Sequence, residues 1–69
     1  MKHLIPPIAK GTLVGVRNCV GAYRLLRRTA PNFYEVDFKG QTVLMPRSNL
    51  VHPLPPGRYL LNGKEEVSI

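Results

Sequence analysis

Five consecutive residues, Tyr34-Glu35-Val36-Asp37-Phe38, alternate apolar and acidic side chains, and no other feature constrains the fold of this chain as strongly. A period of two puts Tyr34, Val36 and Phe38 on one face of an extended segment and both acids on the other, the pattern of a half-buried strand. Lys39-Gly40 follows, with a glycine that can take positive φ in a tight turn. Gln41-Thr42-Val43-Leu44-Met45 then returns as the partner strand, until Pro46 stops it. A β-hairpin therefore sits at the centre of the sequence.

The flanking segments read as further short strands. Gly11 opens Thr12-Leu13-Val14-Gly15-Val16-Arg17, a β-branched run in which Gly15 predicts a bulge or a close backbone approach. Asn18-Cys19-Val20-Gly21 is the connecting loop. Ala22-Tyr23-Arg24-Leu25-Leu26-Arg27-Arg28 contains good helix formers, but it is too short to stand as an isolated helix. Bounded by Gly21 and the turn cluster Ala30-Pro31-Asn32, it is expected to be a strand. Pro46-Arg47-Ser48-Asn49-Leu50 predicts one helical turn with Leu50 inward, and Val51-His52-Pro53-Leu54 a brief last strand that Pro53 confines to an edge. Residues 1–9 form an extended lead-in that Pro6-Pro7 keeps from being helical, with Leu4, Ile5 and Ile8 to pin it. Residues 55–69, after Pro55-Pro56-Gly57, form an appendage in which Asn62-Gly63 signals a small hairpin, the alternative being a partly mobile tail.

With 69 residues there is room for one small domain, and 43% hydrophobic residues suffice for domains of this size to fold unaided. A lone cysteine, Cys19, excludes an internal disulfide and a thiolate zinc site. No apolar run is long enough to span a bilayer, and the prolines interrupt any signal-peptide pattern, so a cytoplasmic location without membrane association is expected. A flat sheet this small would expose a whole face, and no long amphipathic helix is present to cover it. Curling the sheet on itself hides that face and removes most edges. The expected fold class is all-β: a five-stranded barrel over residues 10–54 with one helical turn before the last strand and a C-terminal hairpin-like appendage.

That arrangement resembles the SH3-like small barrel superfamily, including Tudor and KOW-type modules. The matching elements are Gly11-Thr12-Leu13-Val14, the hairpin from Tyr34 through Lys39-Gly40, and the turn from Met45-Pro46 to Leu50. The resemblance covers residues 10–54 at the level of fold. Two departures bear on function. The loop Asn18–Gly21 offers no aromatic for a Tudor-type cage, and the glycine-rich KOW signature is absent. The plasmid-borne type II dihydrofolate reductases look similar in barrel architecture, but their functional Val-Gln-Ile-Tyr strand is replaced here by Thr42-Val43-Leu44-Met45, so that activity is not implied.

Charge supplies the functional expectation. Ten Lys and Arg oppose four Asp and Glu, for a net +6, and six of the ten cations are arginine, suited to forked recognition of phosphate or carboxylate. Between Lys10 and Leu54 seven basic residues face two acids. A basic domain of pI near 10.1 carries the electrostatic footprint of a nucleic-acid binder, DNA or RNA. The candidate binding residues are Arg24, Arg27, Arg28, Phe33, Lys39 and Arg47. Pairing the strand Tyr23–Arg28 with Phe33–Phe38 places Tyr23 against Phe38 and Leu25 against Val36 inside, Arg24 against Asp37 outside, and Arg28 beside Phe33. An exposed aromatic beside guanidinium groups suits a single strand or a phosphate backbone. Equally, Arg24 and Arg27 pair with Asp37 and Glu35, and Phe33 closes the barrel end. Lys39 and Arg47 extend the stripe if they share a face.

A catalytic role is not expected. His3 and His52 lack partners at ligand spacing, Cys19 has no base beside it, and Glu35 and Asp37, on one side of a strand, are expected to be neutralised by arginines, which is wrong for a carboxylate with a raised pKa. No cofactor or metal is expected. The alternative to nucleic-acid binding is a protein-interaction module or small accessory subunit docking on an acidic protein, with Leu60 and Leu61 either contributing to the contact or capping the barrel end.

Overall fold

The computed structural model describes residues 7–69. The chain forms β1 (Leu13–Val16), β2 (Tyr23–Ala30), β3 (Phe33–Phe38), β4 (Gln41–Pro46), a 3-10 turn (Arg47–Asn49), β5 (Leu50–Val51), β6 (Arg58–Leu61) and β7 (Glu65–Ser68). The first five strands make one antiparallel sheet in the order β4-β3-β2-β1-β5, curled into a half-barrel. β6 and β7 form a separate two-stranded hairpin. The helix-capable segment is a strand because both of its edges are paired, by β1 and by β3, and that pairing overrides local propensity.

Curvature originates in β2. Arg24 pairs with Asp37 and Leu25 with Val36 as expected, but Arg27 then pairs with Glu35, so Leu26 is an extra residue on the β2 side. A second irregularity lies between Arg28 and Ala30. Such insertions bend the strand and increase its twist. They also correct the expected neighbour of Arg28, which is Tyr34, whereas Phe33 pairs with Ala30. The anticipated four-residue loop shrinks to Pro31-Asn32 as β2 runs on to Ala30.

Inside the curl lie Val14, Val16, Tyr23, Leu25, Tyr34, Val36, Met45 and Leu50, all buried. Tyr23 stacks on Phe38 with ring centroids 4.8 Å apart. Its hydroxyl donates to the Val20 carbonyl at 3.0 Å, tying the β1–β2 loop to the core, and burial, with Cys19 adding to it, pushes the phenol above its ordinary 10.0. Ile8 is buried, and its backbone N–H donates to the Tyr34 hydroxyl at 3.3 Å, so the end of the lead-in is pinned as expected. Leu4 and Ile5 lie outside the described residues.

Gly15 is a site of close approach. A β-carbon there would lie 2.8 Å from Leu54 Cδ2 and 3.1 Å from Val51 Cβ. β5 crosses tightly over this position, pairing Val51 with Gly15 and Leu50 with Val16. The last strand of the sheet is thus Leu50–Val51, earlier and shorter than Val51–Leu54, because Pro53 has no N–H to continue the ladder. The curl is also not fully closed. β4 and β5 stay at the sheet edges and are joined through the 3-10 turn, where Arg47 N–H donates to Asn32 O at 2.7 Å and Arg17 N–H to Asn49 O at 2.9 Å.

The C-terminal segment is an ordered hairpin held against this body. Ala22 N–H donates to Leu60 O at 2.9 Å, and Asn62 N–H donates to Ala22 O at 3.0 Å. Leu61 is buried while Leu60 points outward, so the two leucines have opposite fates. The Asn62 side chain accepts from Lys39 N–H and donates to Asp37 Oδ2, each at 3.3 Å. Among the described residues no helix is long and apolar enough to cross a membrane.

Candidate functional site

The expected basic residues divide among several places. Arg24 and Arg27 share the outer face with Asp37 and Glu35, as their cross-strand pairing requires. Arg27 is neutralised there: its Nε donates to Glu35 Oε1 at 2.8 Å and its Nη2 to Oε2 at 3.4 Å. That hydrogen bond holds the Glu35 carboxyl below its ordinary 4.5. Arg24 turns its Nη1 to the Gly11 carbonyl at 3.4 Å, while Asp37 accepts from Gly40 N–H and from Asn62. Arg28 reaches the Pro31 carbonyl at 3.5 Å and lines a shallow depression with Thr29 and Ala30. Lys39 stands at the β3–β4 turn, its Nζ 5.5 Å from the centroid of Phe38. Lying one residue beyond the six-residue strand, it is about 20 Å along the chain from Phe33, at the opposite end of the hairpin.

Phe33 and Arg47 do come together. They line a groove of about 890 Å³ at the seam of the half-barrel. One wall is the end of the β3–β4 hairpin, with Phe33 and Pro46, and the other carries Arg17, Val51 and His52. Leu50 and the polar residues Asn32 and Ser48 complete the lining. The local fold explains the assembly. Phe33 occupies the first position of β3 on the outward parity, opposite Pro46, and remains 43% exposed. Arg17 directly follows β1, and the hydrogen bond from its backbone to Asn49 sets it against the 3-10 turn. Arg47 opens that turn, and its Nη1 donates to Leu50 O at 3.1 Å, which engages one arm of the guanidinium fork. Its Nε is buried without a partner among the described residues.

The groove is cationic by composition. Arg17 and Arg47 line it, and none of the four acids does. Among the described residues the Arg17 side chain has no hydrogen-bonding or ion-pair partner. Phe33, Pro46, Leu50 and Val51 supply apolar surface to the same lining. Such a surface presents forked donors for phosphate beside an aromatic face.

Sequence reasoning missed Arg17 and His52 as members of this site. The signal that could have found them is the expected barrel itself: curling a sheet on itself brings its last strand beside its first, and here β5 pairs with β1, which sets the residue after β1 next to the residues around β5. Cys19 is free and exposed, and among the described residues no group of three His, Cys, Asp or Glu side chains could hold a metal. No protein-family model, curated protein or solved structure matches the chain.

Proposed function

We propose that this protein is a non-catalytic nucleic-acid-binding small barrel of the SH3-like kind. The observation that carries the proposal is the groove lined by Arg17, Arg47 and the exposed Phe33 and by none of the four acids. Phosphate contacts supply affinity and orientation, while the groove contributes shape more than base reading. Arg24 and Arg28, whose guanidiniums meet only backbone carbonyls, add to the surrounding field, whereas Arg27 contributes little because Glu35 already compensates it.

The test is a titration of the protein against labelled DNA and RNA at about 50 and about 200 mM salt. Affinity is expected to fall with a log–log slope of about −0.7 to −0.9 per phosphate neutralised. Arg17→Ala is expected to reduce that slope by about one contact, and Arg27→Ala to leave it nearly unchanged. No binding to either nucleic acid at the lower salt overturns the proposal. A second reading, docking on an acidic protein, is favoured by Leu60 and Leu44, both more than two-fifths exposed outside the groove.

A further inference from the structure

Resting on the nucleic-acid reading above, we infer that the groove takes unpaired bases, so that the ligand is single-stranded and Phe33 is its stacking platform. The inference starts from a mismatch between this surface and a duplex. A duplex offers a convex exterior of sugar and phosphate, with its bases already stacked and out of reach. The groove is concave and combines two cations, Arg17 and Arg47, with the apolar surface of Phe33, Pro46, Leu50 and Val51. A duplex laid across its mouth would use the cations and leave that apolar surface unfilled. A single strand complements both parts, with a phosphate between Arg17 and Arg47 and a base turned onto the ring of Phe33. Stacking of this kind tolerates any base, because every base has a π-face.

The elements around the groove point the same way. Reading the major groove of a duplex takes a helix or a two-stranded ribbon inserted into it. The groove is bordered by a 3-10 turn of three residues, a strand of two residues, the Pro31-Asn32 turn and the end of the β3–β4 hairpin, which is joined to β2 in the sheet and is no free ribbon, so none of them projects as such an element. The backbone of Phe33 is fixed by pairing to Ala30 on one side and Pro46 on the other, yet the residue stays 43% exposed. A ring on a paired strand gives up little further freedom on stacking.

The decisive measurement is fluorescence anisotropy with single-stranded DNA and RNA oligonucleotides of about 12 nucleotides, a length within the range bound by one small barrel, and with the duplex of the same DNA sequence. The full chain is used at about 50 mM salt. The single strands are expected to bind at least about tenfold more tightly than the duplex. Phe33→Ala is expected to weaken single-strand binding about 5- to 150-fold, the range found when a base loses its aromatic partner, and to leave the salt slope unchanged. Phe33→Leu, which keeps apolar bulk and the strand but loses the π-face, is expected to weaken it similarly, and Phe33→Tyr to retain it. Because Leu and Tyr preserve the packing of the site, these two decide the matter even if the alanine variant loses stability. Duplex binding equal to or tighter than single-strand binding, with Phe33→Leu silent and Arg17→Ala still weakening, overturns the inference and leaves the nucleic-acid reading standing. Failure of all three nucleic acids to bind overturns both. Polyglutamate competing as well as the single strand also overturns the inference, since charge alone would then account for binding.

Discussion

Asn62 is the node through which the C-terminal hairpin grips the sheet, and replacing it tests whether that hairpin is part of the folded unit. Its side chain makes two hydrogen bonds to the β3–β4 hairpin, to Lys39 N–H and to Asp37 Oδ2, both at 3.3 Å. Its backbone sits at φ +54°, a conformation that asparagine tolerates and alanine does not. At about 0.5–1.5 kcal/mol per hydrogen bond, the lower half applying to bonds this long and partly solvated, the side-chain loss is about 1–2 kcal/mol. The left-handed backbone adds about 1–2 kcal/mol for alanine. Asn62→Ala should therefore cost about 2–4 kcal/mol, against a total stability of about 4–10 kcal/mol for a chain of this length. That corresponds to a fall in Tm of about 8–32 °C. Urea denaturation followed by circular dichroism, with a calorimetric Tm beside it, reads the effect directly. Asn62→Gly, which loses the same hydrogen bonds but accepts the dihedral, should fall between alanine and the native chain. An alanine variant within about 0.5 kcal/mol of native would refute the coupling, and an alanine loss no larger than the glycine loss would remove its backbone component.

Three further outcomes follow from named contacts. Gly21 has φ +107°, and a β-carbon there would lie 2.7 Å from the Leu60 carbonyl, so Gly21→Ala should cost more than Gly63→Ala, whose β-carbon meets nothing within 4 Å; chemical denaturation of the pair isolates the steric part. Truncation after Leu54 removes the buried Leu61, worth about 1.5–3 kcal/mol, and both hydrogen bonds to Ala22, so the shortened chain should lack a cooperative melt; an intact fold that has lost only partner binding would favour the accessory-subunit reading instead. The carboxyl of Glu35 titrates below 4.5 in the folded chain, so its contribution is present above that value and declines as pH falls through the lowered pKa; Glu35→Gln should flatten that part of the acid-stability curve, and an unchanged acid limb would contradict it.

The parts of this fold that were legible in advance are those governed by nearest neighbours. Tyr34-Glu35-Val36-Asp37-Phe38 and Lys39-Gly40 fix a hairpin because periodicity and turn chemistry act within a dozen residues, and the observed ladder runs from Phe38–Gln41 to Phe33–Pro46 without a break. Gly15 was legible for the same kind of reason: a glycine in a β-branched run signals backbone crowding, which Val51 and Leu54 supply. The bulge at Leu26 was not, because Leu25 and Leu26 are chemically alike and only the pairing with Val36 and Glu35 shows which is the extra residue. That one insertion moved Arg28 from Phe33 to Tyr34. The groove was half legible. Phe33 and Arg47 carried the local cues of an exposed aromatic and a cation on a turn, but Arg17 and His52 join them only when β5 crosses β1.

The distribution of the acids connects the two halves of that account. The alternation that commits β3 to a strand places Glu35 and Asp37 in its interior, on the outward face, where Arg27 and the Gly40 and Asn62 donors use them. The other two acids, Glu65 and Glu66, lie on β7, with Arg58 3.9 Å from Glu66. Negative charge is therefore confined to the middle of the main sheet and to the C-terminal hairpin. The seam where β1, β3, the 3-10 turn and β5 meet has none among its lining residues. Glu35 is the acid nearest to that seam, two residues from Phe33 on the same face and so about 7 Å along the strand, within the ~8 Å screening length at physiological salt, but Arg27 pairs with it at 2.8 Å, so the uncompensated charge there is that of Arg17 and Arg47. The pattern that makes this sequence a β-sheet thus also leaves one end of the sheet cationic, and Phe33, the residue that begins the alternating strand, stands there with its ring uncovered.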